Sequence, residues 1–242
     1  MSSTSSSAAQ PGAQQLQKKP IYFGPFEVTN QVFLTTAHSF ALVNLKPLLP
    51  GHVLVCPLVP HRRLTDLSPV EVTDLFTAVQ RVQRMLARHY FLPFAPRSSS
   101  SSSSLSPSQP PAVEEEHGGS FNIALQDGPE AGQTVAHVHV HVIPRIRGAT
   151  AKPASTSTDA VYEQMASEEG NIGGALWDRD HRQLREKKGE NNHNGDGDKR
   201  PVPGGGFPSI EDAARVARGM EEMEEEAGVY KRVLELMEAE GL

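Results

Sequence analysis

The sequence predicts an α+β domain, with an antiparallel sheet of about five strands packed by one long helix and a C-terminal helix added to it. Three observations carry this. Short runs rich in aromatic and β-branched residues (Tyr22 to Phe26, Gln31 to Thr35, Phe40 to Asn44) are separated by turn formers, as in a meander. After Ser68 an apolar repeat at helical spacing takes over, through Val72, Leu75, Phe76, Val79, Val82, Met85 and Leu86. Finally, His137-Val138-His139-Val140-His141-Val142 alternates at the period of a strand.

Taken in order, residues 1–19 are rich in Ser, Ala and Gln and contain no apolar run and no arginine, so they read as a disordered tail rather than a secretory signal, a targeting peptide or a membrane span. The domain is expected over 20–150. After the meander, Asn44-Leu45-Lys46-Pro47 and Leu49-Pro50-Gly51 form a loop that leads into a buried strand, His52 to Pro57. Ser68 is a helix cap, Pro69 suits the first helical position, and Glu71 places a carboxylate in the first turn. His61 and His89 are assigned no chemistry.

Residues 93–117 hold an almost unbroken serine run and read as a disordered insertion, which chain closure tolerates because its entropy grows only logarithmically with length. Phe121 to Gln126 resumes the sheet and pairs as a hairpin with the histidine strand, which Pro144 is expected to end. Residues 151–208 read as a mostly disordered linker with a short helical piece at 161–165, and Trp177 as a packing residue. Residues 209–242 read as the second helix, with Ala213, Val216, Met220, Met223, Ala227, Tyr230, Val233 and Met237 on one face and the acidic run from Glu221 to Glu226 solvated.

Cys56 is the one cysteine and sits in the apolar run Val53-Leu54-Val55-Cys56-Pro57, which makes it a small core residue. No disulfide framework is possible, and a reducing compartment, the cytoplasm and with it the nucleus, is expected. A net charge of −6 speaks against a nucleic-acid partner while leaving room for a local anion site.

If residues 137–142 form a strand, three imidazoles share one face and three valines the other, one wet and one core. An accidental polar face would mix Thr, Lys, Glu and Gln, whereas one titratable residue type at every second position is chemically selective. Two chemistries remain open from the residues alone. One is a metal site, for which Asp127 and Glu130 lie close enough in sequence to add a ligand. The other is covalent catalysis on phosphorus with the central imidazole as nucleophile. The polar, glycine-bearing run Gln126-Asp127-Gly128-Pro129-Glu130-Ala131-Gly132-Gln133-Thr134 favours the second, since such a loop offers N–H groups to an anion.

At these residues the chain resembles the histidine triad family of nucleotide hydrolases and transferases. QDGPEAGQTVAHVHVHVIPR (126–145) and SFALVNLKPLLPGHVLVCPL (39–58) are similar to its fragile histidine triad branch, the bis(5'-adenosyl)-triphosphatases. The likeness spans roughly Phe33 to Tyr90 and Phe121 to Arg147, with a weaker piece around Asp159 to Gln164. It implies His139 as the nucleophile, supported by His137 and His52, and His141, Gln133 and Thr134 as groups that stabilise charge on phosphorus oxygens. It also implies Asn44 as a nucleotide-sugar contact, and Gln126, Gly132, Gln133, Thr134 and Val135 as nucleotide or phosphate contacts. Read without it, Asn44 is a turn residue.

The expected reaction is hydrolysis of a dinucleoside polyphosphate, or another adenylylated small molecule, through a nucleotidyl-histidine. The alternatives are an adenosine phosphoramidate hydrolase and a nucleotide-binding signalling protein with little turnover. No tightly bound cofactor and no protein metal are expected, with Mg2+ or Mn2+ arriving on the substrate. The resemblance implies a homodimer, and neither nucleic acid nor membrane is expected as a partner.

Overall fold

Alternating apolar residues pair the strands, and the helical repeats cover one face of the sheet they form. The computed structural model describes residues 19–91, 118–150, 161, 164–165, 167–188, 200–202 and 217–241. The expected tail over residues 1–18, the serine-rich insertion and residues 203–216 lie outside the described residues. A two-residue pair, β1 (Tyr22–Phe23) and β2 (Phe26–Glu27), turns at Gly24 and Pro25. The main sheet comprises β3 (Val32–Thr35), β4 (Ser39–Val43), β5 (Val53–Pro57), β6 (Gly119–Leu125) and β7 (Val140–Ile146), antiparallel in the order β3-β4-β5-β7-β6.

Helix α1 (Pro69–Tyr90) starts as its sequence dictates. Ser68 Oγ accepts from the Glu71 N–H, and the Glu71 carboxylate accepts from the Ser68 N–H at 2.9 Å. That N–H bond, with bonds from His61 and the Ser68 hydroxyl, holds the Glu71 carboxyl down at about 2. Leu75, Ala78, Val79, Val82, Met85 and Leu86 are buried against β4, β5 and β7, whereas Phe76, expected on the same stripe, is 42% exposed. Cys56 is fully buried in β5, and burial raises its thiol well above the ordinary value, consistent with a packing role.

Several elements differ from expectation. The run from Tyr22 to Phe26 is broken by Gly24, which takes φ +57°. Pro144 does not end β7. The β5 partner covers only Val140 to Val142, so Pro144 sits in the strand opposite Phe121 with no ladder bond to supply on its other side. The expected linker contains a 17-residue helix, α2 (Ile172–Lys188), whose Ile172, Ala175 and Leu176 are part of the main core. Three closely spaced apolar side chains buried one turn apart account for it, a signal diluted by the charged residues that follow. Trp177 packs against the core and stacks on His181, with ring centroids 3.6 Å apart. Helix α3 (Met220–Ala239) buries Met223, Ala227, Tyr230, Leu234 and Met237 against α1, β3 and β4, with Leu234 taking the place expected of Val233. Glu226 leaves the solvated acidic run, because it pairs with Arg218 at 2.8 Å.

Candidate active site

Only the last of the three histidines lies in a regular strand. His137 stands in a bend, with its N–H donating to Val135 O at 2.8 Å, and His139 lies in the extended segment ahead of Val140. Alternation holds from there: Val140 and Val142 face the helical core, while Ile143 joins Leu48, Val161 and Met165 in a separate cluster. The expected wet face is therefore absent, and His137, His139 and His141 are each at most 1% exposed.

Hydrogen bonds fix which nitrogen of each ring carries the proton. The Leu48 N–H donates to His52 Nδ1 at 3.1 Å, so a neutral His52 bears its proton on Nε2. That Nε2–H points at His141 Nδ1, 2.9 Å away. His141, accepting there, must carry its own proton on Nε2, a buried atom without a hydrogen-bond partner among the described residues. An unpaired buried donor of this kind costs about 1–3 kcal/mol. Burial, reinforced by His139 and His52, pushes His141 well below the ordinary imidazole range and keeps it neutral.

The same logic applies to the other two rings. His137 Nε2–H donates to Pro57 O at 2.8 Å and its Nδ1 accepts from the Gly24 N–H at 3.0 Å, which leaves neither nitrogen for a metal. His139 Nδ1–H donates to His137 O at 2.8 Å. Its Nε2 is then the lone-pair nitrogen, and no described residue bonds to it. Burial lowers the pKa of His139, so the ring is neutral at physiological pH. Phe23 meets its ring edge-on, with centroids 5.1 Å apart. Among the described residues no group of three or more His, Cys, Asp or Glu is arranged to hold a metal ion.

The loop before the triad carries the remaining candidates. Gly132 adopts φ +91° and Val135 is buried. Gln133 Nε2 donates to Arg62 O at 3.1 Å, Gln126 Nε2 to Met165 O at 3.1 Å, and Thr134 Oγ1 accepts from the Gly173 N–H at 3.1 Å. Asn44 is buried with its amide nitrogen 3.4 Å from both ring nitrogens of His52, and its Oδ1 accepts from the Lys46 N–H at 3.0 Å. The structure thus joins Asn44, His52 and His141 in one cluster and His137 to His139 in another, and the T-shaped contact of His139 with His141, centroids 5.0 Å apart, links the two.

The family model described as HIT domain matches residues 25–148. A bis(5'-nucleosyl)-tetraphosphatase (asymmetrical) of Schizosaccharomyces pombe is 38% identical over 209 residues, 86% of this chain and 91% of that protein. The chain belongs to the HIT domain family. A bis(5'-adenosyl)-triphosphatase of Dictyostelium discoideum is 39% identical over 61% of this chain and 78% of its own length. That of Saccharomyces cerevisiae is 36% identical over 63% of this chain, which spans 59% of the yeast protein. Among solved structures, the C. elegans NitFhit protein is 26% identical at a TM-score of 0.47, covering 90% of this chain and 31% of that one.

Parts outside the matched HIT region contribute to the site, and sequence reasoning missed them. Gly24 lies just before it. Its N–H serves His137, and a Cβ there would stand 2.6 Å from Val135 Cγ1, so the close approach and the positive φ both require glycine. Gly173, in the first turn of α2, abuts Thr134 so closely that a Cβ would be 2.5 Å from its carbonyl oxygen. The Gly24-Pro25 pair was a readable turn signal. Gly173 had none, because its partner is 39 residues away in sequence.

The buried neutral imidazoles of this HIT protein make its stability depend on pH in a defined direction. Burial holds His137 down at about 4, against about 6.5 for an exposed histidine, and lowers His139 and His141 as well. On acidification the unfolded chain takes up protons before the folded one does, so the stabilisation is complete above about pH 6.5 and is lost as pH falls toward 4. The melting temperature is expected to decline between pH 6.5 and 5, above the range where most carboxylates titrate. A flat profile over that interval would show that these rings take up protons in the fold as readily as in the unfolded chain.

Proposed function

We propose that this HIT protein hydrolyses dinucleoside polyphosphates, cleaving diadenosine triphosphate to AMP and ADP by way of an adenylyl group carried on His139. One observation carries the reading: a neutral His139 with its lone pair on Nε2, beside a buried His141 Nε2–H that has no acceptor. Nε2 attacks the α-phosphorus, the bond from phosphorus to the bridging oxygen breaks, and ADP departs with that electron pair. As the ring becomes cationic, His137 O already accepts its Nδ1–H, and that bond strengthens as charge develops. His141 Nε2–H supplies a donor to a phosphoryl oxygen. Water then attacks the phosphorus and gives up a proton to solvent, the P–N bond breaks, and His139 regains its lone pair as AMP leaves.

In this reading Asn44 and Gln126 contact the nucleoside, and Gly132, Gln133, Thr134 and Val135 line the phosphates. No tightly held metal takes part, and Mg2+ or Mn2+ enters with the polyphosphate. A homodimer is also part of the proposal on family grounds, and light scattering of the purified chain should give twice the chain mass.

The test is a substrate panel of diadenosine triphosphate, diadenosine tetraphosphate and adenosine phosphoramidate, run on protein first stripped with chelator and then supplied with Mg2+. The S. pombe relative is named for tetraphosphate cleavage and the D. discoideum one for triphosphate, which is why both chain lengths are included. Fastest turnover of a polyphosphate, with Mg2+ alone restoring the rate, is the expected result. Preference for the phosphoramidate would move the assignment to that activity, and tight binding without turnover would make the protein a nucleotide sensor. Elemental analysis showing one histidine-bound metal per chain would replace covalent catalysis with metal chemistry.

A further inference from the structure

Helix α3 lies beyond the matched HIT region, yet its N-terminal approach reaches the nucleotide side of the site. The Arg218 N–H donates to Leu45 O at 3.1 Å, and the Arg218 guanidinium donates through both Nε and Nη2 to Asn44 O, the first at 3.2 Å. Its Nη1 pairs with Glu226 Oε2 at 2.8 Å, in the second turn of α3, and the Arg218 side chain is only 13% exposed. Glu226 is held in turn. Its Oε1 accepts from Tyr230 Oη at 2.8 Å, and Tyr230 Oη, being the donor there, accepts from Tyr90 Oη of α1 at 2.9 Å. A continuous chain of polar contacts therefore runs from α1 through α3 to the Asn44 backbone. The Asn44 side chain then lies against His52, the ring that sets the tautomer of His141.

We propose that Arg218 is a positioning residue of the nucleotide site, through which the C-terminal helix fixes Asn44 and, behind it, His52. The geometry favours positioning over simple helix docking. Both donors of one edge of the guanidinium converge on a single carbonyl of the Asn44-Leu45 turn, and the opposite nitrogen is anchored by a carboxylate, so the planar group acts as a strut that lysine cannot reproduce. The docking of α3 has other means. Five buried apolar residues cover its inner face, and exposed ion pairs such as Arg81 with Glu238 join it to α1.

The inference rests on the reading of Asn44 as a nucleotide contact, and the experiment separates the two. Arg218→Gln, Arg218→Lys, Asn44→Ala, the Asn44→Ala/Arg218→Gln double variant and Arg81→Gln are compared in the full chain. Arg218→Gln is expected to raise KM for diadenosine triphosphate about tenfold, the size of one charge-assisted hydrogen bond, with kcat within about twofold. Arg218→Lys should restore little. The double variant should be no worse than Asn44→Ala alone, since a strut has nothing to position once the amide is gone. Arg81→Gln, which weakens helix docking without touching Asn44, should leave KM unchanged.

A multiplied loss in the double variant, or an equal rise in KM from Arg81→Gln, would reduce Arg218 to a packing role. Independently of substrate, the Asn44 side-chain amide and the His52 ring resonances should shift in Arg218→Gln and stay in place in Arg81→Gln. If Asn44→Ala has a normal KM, the nucleotide reading fails while these resonances still decide the strut. Unmoved resonances in Arg218→Gln would overturn it.

Discussion

Replacing His139 with asparagine is expected to lower turnover of diadenosine triphosphate at least about a thousandfold, or about 4 kcal/mol of transition-state stabilisation, while nucleotide binding persists. Asparagine keeps a donor for His137 O but has no ring nitrogen with a lone pair to attack phosphorus. His141→Asn should do less damage, because it removes one donor to the phosphoryl group and leaves the nucleophile in place. Wild-type protein mixed rapidly with substrate and quenched without acid should carry an adenylyl group on His139, a linkage that acid would cleave. Near-normal turnover by His139→Asn, or a label on another residue, would end the covalent assignment.

Gly24→Val is expected to have the next largest effect, at a residue that is not itself chemical. The left-handed φ of +57° costs a side chain about 1–2 kcal/mol, and the added Cβ would meet Val135 Cγ1 at 2.6 Å. The backbone N–H that now holds His137 Nδ1 must shift, and with it the carbonyl that orients His139. The melting temperature should fall by roughly 5–10 °C, and kcat measured well below that temperature should fall about tenfold or more. Gly24→Ala should give a smaller version of both changes. Wild-type kcat in the valine variant, whatever its melting temperature, would show that the turn supports folding alone.

How far the sequence could be read depended on the range of each interaction. The strands, the cap of α1 and its buried stripe were legible because each is written in residues a few positions apart, as in Ser68-Pro69 and Glu71. The three histidines stood out because alternation made one residue type conspicuous, and the two long blocks around them pointed to the family. That alternation misled in one respect, since His137 and His139 sit ahead of the strand. The His137 ring is held by Gly24 and Pro57, which lie 113 and 80 residues away, and the His137 carbonyl in turn holds His139. Helix α2 reads as linker because eight of its 17 residues are charged, while Ile172, Ala175 and Leu176 in its first turns meet the core. Glu226 reads as solvated because its partner Arg218 sits outside the acidic run. Nothing local distinguishes it from Glu225.

The place of β7 in the sheet has a consequence for how the protein acquires its shape. Leu54 pairs with His141, so the middle of the sheet closes only across nearly ninety residues, with helix α1 and the serine-rich stretch in between. Strands β3 to β5 and α1 can meet early because their contacts are local, but β5 must wait with its inner edge unpaired until β7 has been made. Non-local pairing of this kind slows folding, and the waiting edge is open to association with other chains. Deleting residues 98–108 should leave both the refolding rate and the equilibrium stability nearly unchanged, because the cost of closing so long a connection grows only logarithmically with its length. The imidazoles of His52 and His141 would be among the last groups in the protein to come together.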